Sequence, residues 1–374
     1  MNRSTVNYWH NLGRLLRGAA WLRPRVATYY VTTRCNLNCV YCEDFGARRN
    51  PPAIEEQPAA KGLPAIKGLS APKELPLEAA MQVLGAIRRS VDSLILTGGE
   101  PLLYADIVSL VTRAKRELKF RQITLLTNGL RLPQSEALLP AVDRLVISLD
   151  ATDPARWRSI INMPVDAAQA IIDHIRHYAR RQREFGYRLI VNCVLTPETL
   201  PDADQVLDFC LEHNLLVSFS PQAVCNWPRY DLLVSSAYQA FLARLVAVKQ
   251  RGGPILGSQV YLNTLRELRP YACYPTLTPR VMANGDLVYP CRPVEKEGRS
   301  HGGRPCNLLE VPSLEHALAL ARDEYGPPPR ICTSCFQQCF AEPSLMQTQP
   351  LSLLSEWLRY APSRQAGLGS YAPG

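Results

Sequence analysis

The chain alternates between β-rich and helical segments, and this alternation restricts the fold more than any other feature. Six strand-like segments are found at Arg25–Thr33, Ser93–Gly99, Ile123–Gly129, Arg144–Asp150, Arg188–Thr196 and Leu215–Gln222. Helical patterns lie between them at Pro76–Ser90, Asp106–Leu118, Val165–Gly186 and Asp202–Asn214. Repeated βα units form a parallel sheet, because each helix returns the chain to the same end of the sheet. The pattern predicts an α/β fold, a partial (β/α)6 TIM-like barrel, with active-site groups at the carboxyl ends of its strands.

The rest of the chain divides around this barrel, which is predicted to occupy residues 25–235. The other regions are a basic amphipathic helix, a helical connection, a cysteine-rich module, and a C-terminal helix and tail, at 1–24, 236–270, 271–345 and 346–374. Within the barrel, residues 46–76 are rich in Pro, Ala, Gly and Lys, with the near-repeat KGLPAIKGLSAPK. Such a stretch predicts a mobile surface insertion, either a lid or an inert loop.

The cysteine content indicates metal or redox chemistry. No apolar run approaches the roughly 20 residues that span a bilayer, and arginines interrupt the apolar residues at the start of the chain. We therefore expect a cytoplasmic protein, in which twelve cysteines serve metal or redox sites and not disulfides. The net charge of +9 would suit an anionic partner, but the basic residues are dispersed and no nucleic-acid motif is found, so no nucleic acid is expected. A non-catalytic, metal-stabilised nucleic-acid-binding protein stays as the alternative class.

The first 24 residues predict a helix between Tyr8 and Leu22. Its apolar residues fall on one face, with His10, Arg14 and Arg17 opposite. Such a helix either covers one end of the core or docks on a membrane surface. In the second case the protein would be peripheral at the inner membrane face.

Three cysteines, Cys35, Cys39 and Cys42, are spaced CxxxCxxC directly after the first strand. Three thiolates can hold three irons of a [4Fe-4S] cube and leave the fourth iron open to another ligand. A closed zinc site would require four ligands. The spacing favours an iron–sulfur site, with zinc and unliganded thiols as alternatives.

A second motif, LTGGEPLL, ends the second strand. Gly98 and Gly99 are expected to let a ligand approach the backbone, and the Glu100 carboxylate to pair with an ammonium group. Taken alone, the motif would be an ordinary strand-to-helix turn with Pro101 at the first helical position.

Together the two motifs resemble the radical S-adenosylmethionine (SAM) superfamily, whose hallmark is CxxxCxxC with an aromatic residue before the last cysteine, here Tyr41, followed by GGEP on the second strand. The resemblance implies that the three cysteines hold a [4Fe-4S] cluster whose open iron chelates the methionine part of SAM. It implies that Gly98, Gly99 and Glu100 meet the SAM amino group and that Tyr41 lies near adenine. Further contacts to the ribose or the methionine part are implied for Thr127, Asn128, Ser148, Asp150 and Asn192.

The implied activity is reductive cleavage of SAM to methionine and a 5'-deoxyadenosyl radical that attacks an unactivated carbon. The implied electron source is an external one-electron donor such as flavodoxin or ferredoxin. The barrel would shield the radical from water and side reactions.

The C-terminal module carries six more cysteines: Cys273, Cys291, Cys306, Cys332, Cys335 and Cys339. Asn284-Gly285 is a hairpin signal that would bring Cys273 and Cys291 together. The module resembles the SPASM and twitch accessory iron–sulfur modules, although no cysteine follows Cys339. The resemblance implies one auxiliary [4Fe-4S] cluster, held by Cys273, Cys291 and two or three of Cys332, Cys335 and Cys339. Cys306 is either a ligand or a free thiol, and zinc is the alternative metal.

The overall layout most resembles the adenosylhopene synthase family, which implies a lipid or isoprenoid substrate for the radical. Peptide or protein modification is the alternative activity, because many SPASM-type enzymes act on peptides. The three cysteines outside these clusters are not assigned to a metal, and Cys193 and Cys210 are predicted to be small core residues.

Overall fold

The computed structural model describes residues 3–42, 74–224, 227–291, 306–328 and 335–352. The predicted insertion at 46–76 lies outside the described residues except for its last three. Cys225 and Cys332 also lie outside them.

The core of the fold is one eight-stranded sheet with the order β10-β9-β1-β2-β3-β4-β5-β6. Its strands are β1 (Ala27–Tyr30), β2 (Ser93–Thr97), β3 (Gln122–Thr127), β4 (Arg144–Ser148), β5 (Arg188–Leu195), β6 (Leu216–Pro221), β9 (Arg280–Val281) and β10 (Leu287–Val288). A separate two-stranded ribbon pairs β7 (Ala223–Val224) with β8 (Trp227–Pro228). Strands β1 to β6 are parallel and consecutive, which confirms the predicted α/β partial barrel.

Helices connect and cover these strands. They are α1 (Arg3–Leu16), α2 (Leu77–Arg88), α3 (Ile107–Arg116), α4 (Pro154–Ile161), α5 (Val165–Arg180), α6 (Gln182–Phe185), α7 (Ala203–Glu212), α8 (Tyr230–Leu233), α9 (Ser236–Gln250), α10 (Gln259–Glu267), α11 (Leu314–Tyr325) and α12 (Gln338–Thr348). Short 3-10 turns lie at Pro101–Leu103, Pro133–Ala141, Leu200–Asp202 and Pro275–Leu277. Among the described residues, no helix is long and apolar enough to cross a membrane.

Burial alternates along the strands and distinguishes the two faces of the sheet. On β4, Leu145 and Ile147 are completely buried, whereas Arg144, Val146 and Ser148 are only half-buried. Successive strand residues point to opposite faces of the sheet. The completely buried residues therefore pack against the helices, and the half-buried residues line the inner face of the barrel. The inner face therefore carries the side chains that are available to meet a ligand.

The observed N-terminal helix, α1, differs from the predicted one in its length and in the face that it buries. It ends at Leu16, and its buried residues are the polar Ser4, Asn7 and Asn11. Their side chains donate hydrogen bonds to the carbonyl oxygens of residues 25, 24 and 23, in that order. The backbone carbonyls of residues 23–25 need hydrogen-bond partners once they are buried, and the polar face of α1 provides those partners. The apolar side chains of Trp9 and Leu16 point outward and are 60% and 90% exposed.

The predicted hairpin at Asn284-Gly285 is confirmed and joins the cysteine-rich module to the barrel. Strand β9 pairs antiparallel with β10 and parallel with β1, where Arg280 lies in register with Thr28. Gly285 adopts φ +89° in the turn, a conformation that glycine adopts without strain. The module thus extends the sheet beyond β1.

Candidate active site

The three clustered cysteines lie on the loop that follows β1, and hydrogen bonds fix this loop on two sides. Near its start, the Gly99 amide donates to the Thr32 carbonyl at 3.0 Å, and the Glu100 amide donates to the Arg34 carbonyl at 2.7 Å. Farther along, the Asn38 and Val40 amides donate to the last carbonyls of α4, at 3.1 and 2.9 Å. The loop therefore has a defined path between the end of β2 and the end of α4.

Gly98 and Gly99 lie directly against the backbone of the cysteine loop. A Cβ atom on Gly98 would lie 2.4 Å from the Thr32 oxygen, and one on Gly99 would lie 2.2 Å from the Arg34 oxygen. The missing side chains thus make room for the loop, and the expected part of these glycines in ligand approach remains a prediction.

Glu100 is completely buried and its carboxylate accepts three hydrogen bonds from the chain. One oxygen accepts from the Leu102 amide at 3.0 Å and the Thr127 hydroxyl at 2.7 Å, and the other accepts from the Asn128 amide at 2.7 Å. Burial raises the pKa of Glu100 to about 7, and the hydrogen bonds offset part of that rise. Glu100 therefore ties the end of β2 to the end of β3, and its pairing with an ammonium group remains a prediction.

The side chain of Asn128 connects this corner to the cysteine loop. Its Nδ2 donates to Oδ1 of Asn36 at 2.8 Å, and its Oδ1 accepts from the Leu130 amide at 3.0 Å. Asn36 follows Cys35 directly, so the turn after β3 helps to fix the first cysteine.

Tyr41 and Asp150 anchor the other end of the loop. The Tyr41 hydroxyl donates to Asp150 Oδ2 at 2.6 Å, and the Val194 amide donates to Asp150 Oδ1 at 2.8 Å. The Gln222 side chain donates to the Tyr41 carbonyl at 3.1 Å. Burial raises the pKa of Asp150 to about 6, and burial followed by the Asp150 charge raises the pKa of Tyr41 well above its usual range. Both carboxylate oxygens of Asp150 are thus engaged within the protein.

A polar row crosses the inner face at the carboxyl ends of β4, β5 and β6. Ser148 lies in register with Asn192, and Asn192 lies in register with Ser218. The Ser218 hydroxyl donates to Asn192 Oδ1 at 2.8 Å. Of the residues expected to contact SAM, Ser148 and Asn192 are the two on this open row.

The surroundings of the thiols bear on whether the loop can hold a metal group. Burial raises the pKa of Cys35 to about 11 and also raises the pKa of Cys39, so both would be protonated without a metal. The Leu37 amide donates to Cys35 Sγ at 3.5 Å. Among the described residues, no three His, Cys, Asp or Glu side chains are grouped to hold one ion. A closed zinc site requires four protein ligands, whereas a cube can be held by three thiolates with its fourth iron open, so a motif with three cysteines suits a cluster.

The C-terminal cysteines lie where the module packs against α12. Cys273, Cys291 and Cys335 are buried, and Cys339 is half-buried. The Tyr271 hydroxyl donates to the Cys335 carbonyl, and the Tyr274 amide donates to the Ser344 hydroxyl at 2.9 Å. These contacts place the segment around Cys273 against the segment that carries Cys335 and Cys339.

Three other described cysteines, Cys306, Cys193 and Cys210, lie in different parts of the fold. The Cys306 carbonyl accepts from the Leu287 amide of β10 at 2.8 Å. Cys193 and Cys210 are completely buried, as predicted for core residues.

Sequence reasoning missed three residues of these sites: Asn36, Gln222 and Arg280. Asn36 could have been found because it lies inside the CxxxCxxC motif. Gln222 ends the last predicted strand of the barrel, where ligand-facing groups gather. Arg280 donates to Cys339 Sγ at 2.9 Å across 59 residues of sequence, and no local signal marks it.

Comparison with known proteins gives a family match and several relatives. Residues 29–210 match the family model described as the Radical SAM superfamily. The GTP 3',8-cyclase of Heliobacterium modesticaldum is 34% identical over 132 residues, which cover 35% of this chain and 35% of that protein. GTP 3',8-cyclase 1 of Pseudomonas aeruginosa is 31% identical over 243 residues, which cover 60% of this chain and 64% of that protein. Each alignment covers less than two thirds of the relative's length.

Two solved structures show the same fold over most of the chain. Streptococcus suis SuiB bound to S-adenosylmethionine has a TM-score of 0.56 and 19% identity, covering 83% of this chain and 67% of SuiB. The protein anSMEcpe with bound AdoMet has a TM-score of 0.54 and 12% identity, covering 88% of this chain and 98% of that one.

Proposed function

Because residues 29–210 belong to the Radical SAM superfamily, we propose that the chain is an iron–sulfur enzyme that cleaves SAM reductively and removes hydrogen from a substrate carbon. The observation that carries this proposal is the cysteine loop, which is hydrogen-bonded to the end of β2 beside the buried Glu100. Ligands of parallel α/β sheets bind at the carboxyl ends of the strands, where this loop presents its thiols. The family match leaves no basis for the non-catalytic, nucleic-acid-binding alternative.

Cys35, Cys39 and Cys42 would hold the [4Fe-4S] cluster that this family uses with SAM. When bound, the cluster and SAM together supply the electron transfer and the 5'-deoxyadenosyl radical. The chain supplies position: the loop is tied to β2, to the turn after β3 and to α4. These ties hold the three cysteines, which are half-buried, at the carboxyl end of the sheet.

The proposed SAM contacts divide into direct and indirect ones. Ser148 and Asn192 lie on the inner face, where the Ser148 hydroxyl and the Asn192 Nδ2 group could donate to the cofactor. Glu100 and Asp150 act by holding other groups, namely the Asn128 amide and the Tyr41 hydroxyl. Gly98 and Gly99 set how closely the cofactor's amino end can approach the cysteine loop.

We propose that the module after β9 holds one auxiliary [4Fe-4S] cluster. Cys273, Cys291, Cys335 and Cys339 are its ligands, and Cys332, outside the described residues, is a fifth candidate. The packing of the Cys273 segment against α12 supports this assignment. The cluster would lie at the β1 edge of the sheet, beside the inner face.

A phosphate-bearing small molecule is the first candidate substrate. The names of the two cyclase relatives support it, because GTP carries phosphate groups.

A lipid or isoprenoid substrate is the second candidate, and the exposed surface of α1 is the observation that supports it. Its outward Trp9 and Leu16 lie near two exposed basic residues, Arg3 at the start of α1 and Arg17 directly after its end. Such a surface suits peripheral contact of residues 8–22 with anionic lipid. Trp9→Ser with Leu16→Ser should abolish sedimentation with phosphatidylglycerol vesicles, and phosphatidylcholine vesicles should not bind either protein. Unchanged sedimentation of the double variant would remove this candidate.

Peptide modification has weaker support, since SuiB and anSMEcpe share only the fold with this chain.

The decisive experiment measures cofactors and cleavage together. Protein purified without oxygen is assayed for iron and sulfide, then mixed with dithionite and SAM, and 5'-deoxyadenosine is measured. Two cubes predict about eight irons per chain. Separate reactions contain GTP or a lipid extract, and the true substrate class should increase 5'-deoxyadenosine formation and yield a new product. Zinc in place of iron, with no 5'-deoxyadenosine, would overturn the proposal.

A further inference from the structure

Arg280 makes three contacts with the start of α12. The guanidinium Nη2 lies 2.9 Å from Cys339 Sγ and 3.5 Å from Gln337 Oε1, and the guanidinium carbon lies 4.6 Å from the centre of the Phe340 ring. The side chain is half-buried, and its strand is held in register with β1 at Thr28. The sheet therefore fixes the base of this arginine and α12 fixes its end.

The chemistry of the contact identifies the sulfur as the acceptor. A guanidinium carries five N–H donors and no acceptor, so Cys339 must accept the hydrogen bond. An anionic sulfur accepts more strongly than a neutral thiol, because the donor is charged. Metal coordination deprotonates a thiol outright. The contact thus fits Cys339 as a metal-bound thiolate.

The charged groups that act on the two cysteine sites differ. Glu100 and Asp150 lie close enough to act electrostatically on Cys35 and Cys39, in that order. At the second site a guanidinium contacts Cys339 directly. Hydrogen bonds to cluster sulfurs and the local charge both set the reduction potential of an iron–sulfur cluster.

We propose that Arg280 tunes the auxiliary cluster by raising its reduction potential through the hydrogen bond to Cys339. Reduction adds one electron and one negative charge, and a nearby cation with a donor to the sulfur stabilises that added charge. The inference rests on the proposed auxiliary cluster. Arg280 is a positioning residue here, since it acts through a cysteine.

The test uses the full-length chain with Cys35, Cys39 and Cys42 replaced by alanine, so that only the auxiliary site can hold a cluster. Into this parent we introduce Arg280→Gln, which keeps a donor and removes the charge, or Arg280→Lys, which keeps the charge and removes the planar fork. Arg244→Gln is the matched control, because it removes an arginine that pairs with Asp204 and Asp208 on another helix. Dithionite titration followed by electron paramagnetic resonance gives the midpoint potential, and iron analysis gives cluster content.

Arg280→Gln should lower the ratio of reduced to oxidised cluster about tenfold at fixed potential, a negative shift of about 59 mV for a one-electron couple. Arg280→Lys should lower the ratio by about threefold, and Arg244→Gln should leave it unchanged. Four irons per chain with unchanged potentials in both Arg280 variants would overturn the inference and leave the auxiliary cluster standing. A parent without iron would instead overturn the auxiliary cluster itself. Should Arg280→Gln lose its iron, Arg280→Lys decides: a lower ratio supports the role of Arg280, and an unchanged ratio contradicts it.

Discussion

Replacing Glu100 with glutamine tests the buried carboxylate at the corner of the proposed active site. In the wild-type protein the two carboxylate oxygens accept from the Leu102 amide, the Thr127 hydroxyl and the Asn128 amide. Glutamine retains one acceptor oxygen, which can serve the first two donors. Its NH2 group then faces the Asn128 N–H, and a buried donor without an acceptor costs about 1–3 kcal/mol.

The pH dependence of stability separates this loss from the effect of ionisation. Burial raises the pKa of Glu100 from its ordinary 4.5 to about 7, so the folded state holds the proton more firmly than the unfolded chain does. The stability that this group contributes is fully present below pH 4.5 and is lost as the pH rises through 7. A rise of this size corresponds to about 3 kcal/mol. Glutamine cannot ionise, so the variant lacks this loss.

We therefore expect Glu100→Gln to be about 1–3 kcal/mol less stable than wild type at pH 5, and equally or more stable at pH 8. The free energy of unfolding is measured by urea denaturation followed by circular dichroism at both pH values. Glu117→Gln is the control, because Glu117 is exposed and pairs with Arg113 on the surface of α3. A wild-type-minus-variant difference that is the same at pH 5 and pH 8 would refute the reasoning.

Two further substitutions probe the cysteine loop. Gly99→Ala places a Cβ atom 2.2 Å from the Arg34 oxygen, so the loop must shift, and the variant should bind less iron and unfold at lower urea concentration. Gly85→Ala is the control, because a Cβ atom there meets nothing within 4 Å. Iron content of Gly99→Ala equal to that of wild type would contradict the prediction. Tyr41→Phe removes the hydrogen bond to buried Asp150 and should lower stability by about 1–3 kcal/mol. That loss should be larger at pH 8 than at pH 5, because burial raises the pKa of Asp150 to about 6 and the unpartnered oxygen is charged only above it; a loss that does not grow with pH would argue against the proposed anchoring.

The secondary structure was predictable because its signal is local. Alternating apolar residues and helical periodicity identified all six barrel strands and the main helices, and the order of parallel βα units then determined the sheet. The hairpin before Cys291 was likewise given by Asn284-Gly285. The cysteine and GGEP motifs pointed to the correct end of the sheet because that end is where parallel strands present their loops.

The contacts inside the site were not predictable, because they depend on distant backbone. Gly98 and Gly99 make room for residues 32–34, and nothing in the GGEP motif reveals which group occupies that space. The buried face of helix α1 was not predictable for a related reason. Its apolar face indicates either core packing or membrane docking, whereas Ser4, Asn7 and Asn11 bind a segment whose need for hydrogen bonds appears only in three dimensions.

The central claim is that Cys35, Cys39 and Cys42 hold a cluster that cleaves SAM. The most direct test compares Cys39→Ala with Cys210→Ala in the dithionite-dependent formation of 5'-deoxyadenosine, with iron counted in both. Cys210 is a buried core cysteine on α7, outside the loop, so its variant should keep both clusters and cleave SAM. The account predicts that Cys39→Ala retains about four irons in the auxiliary site and forms no 5'-deoxyadenosine. Cleavage of SAM by Cys39→Ala at the wild-type rate would contradict it.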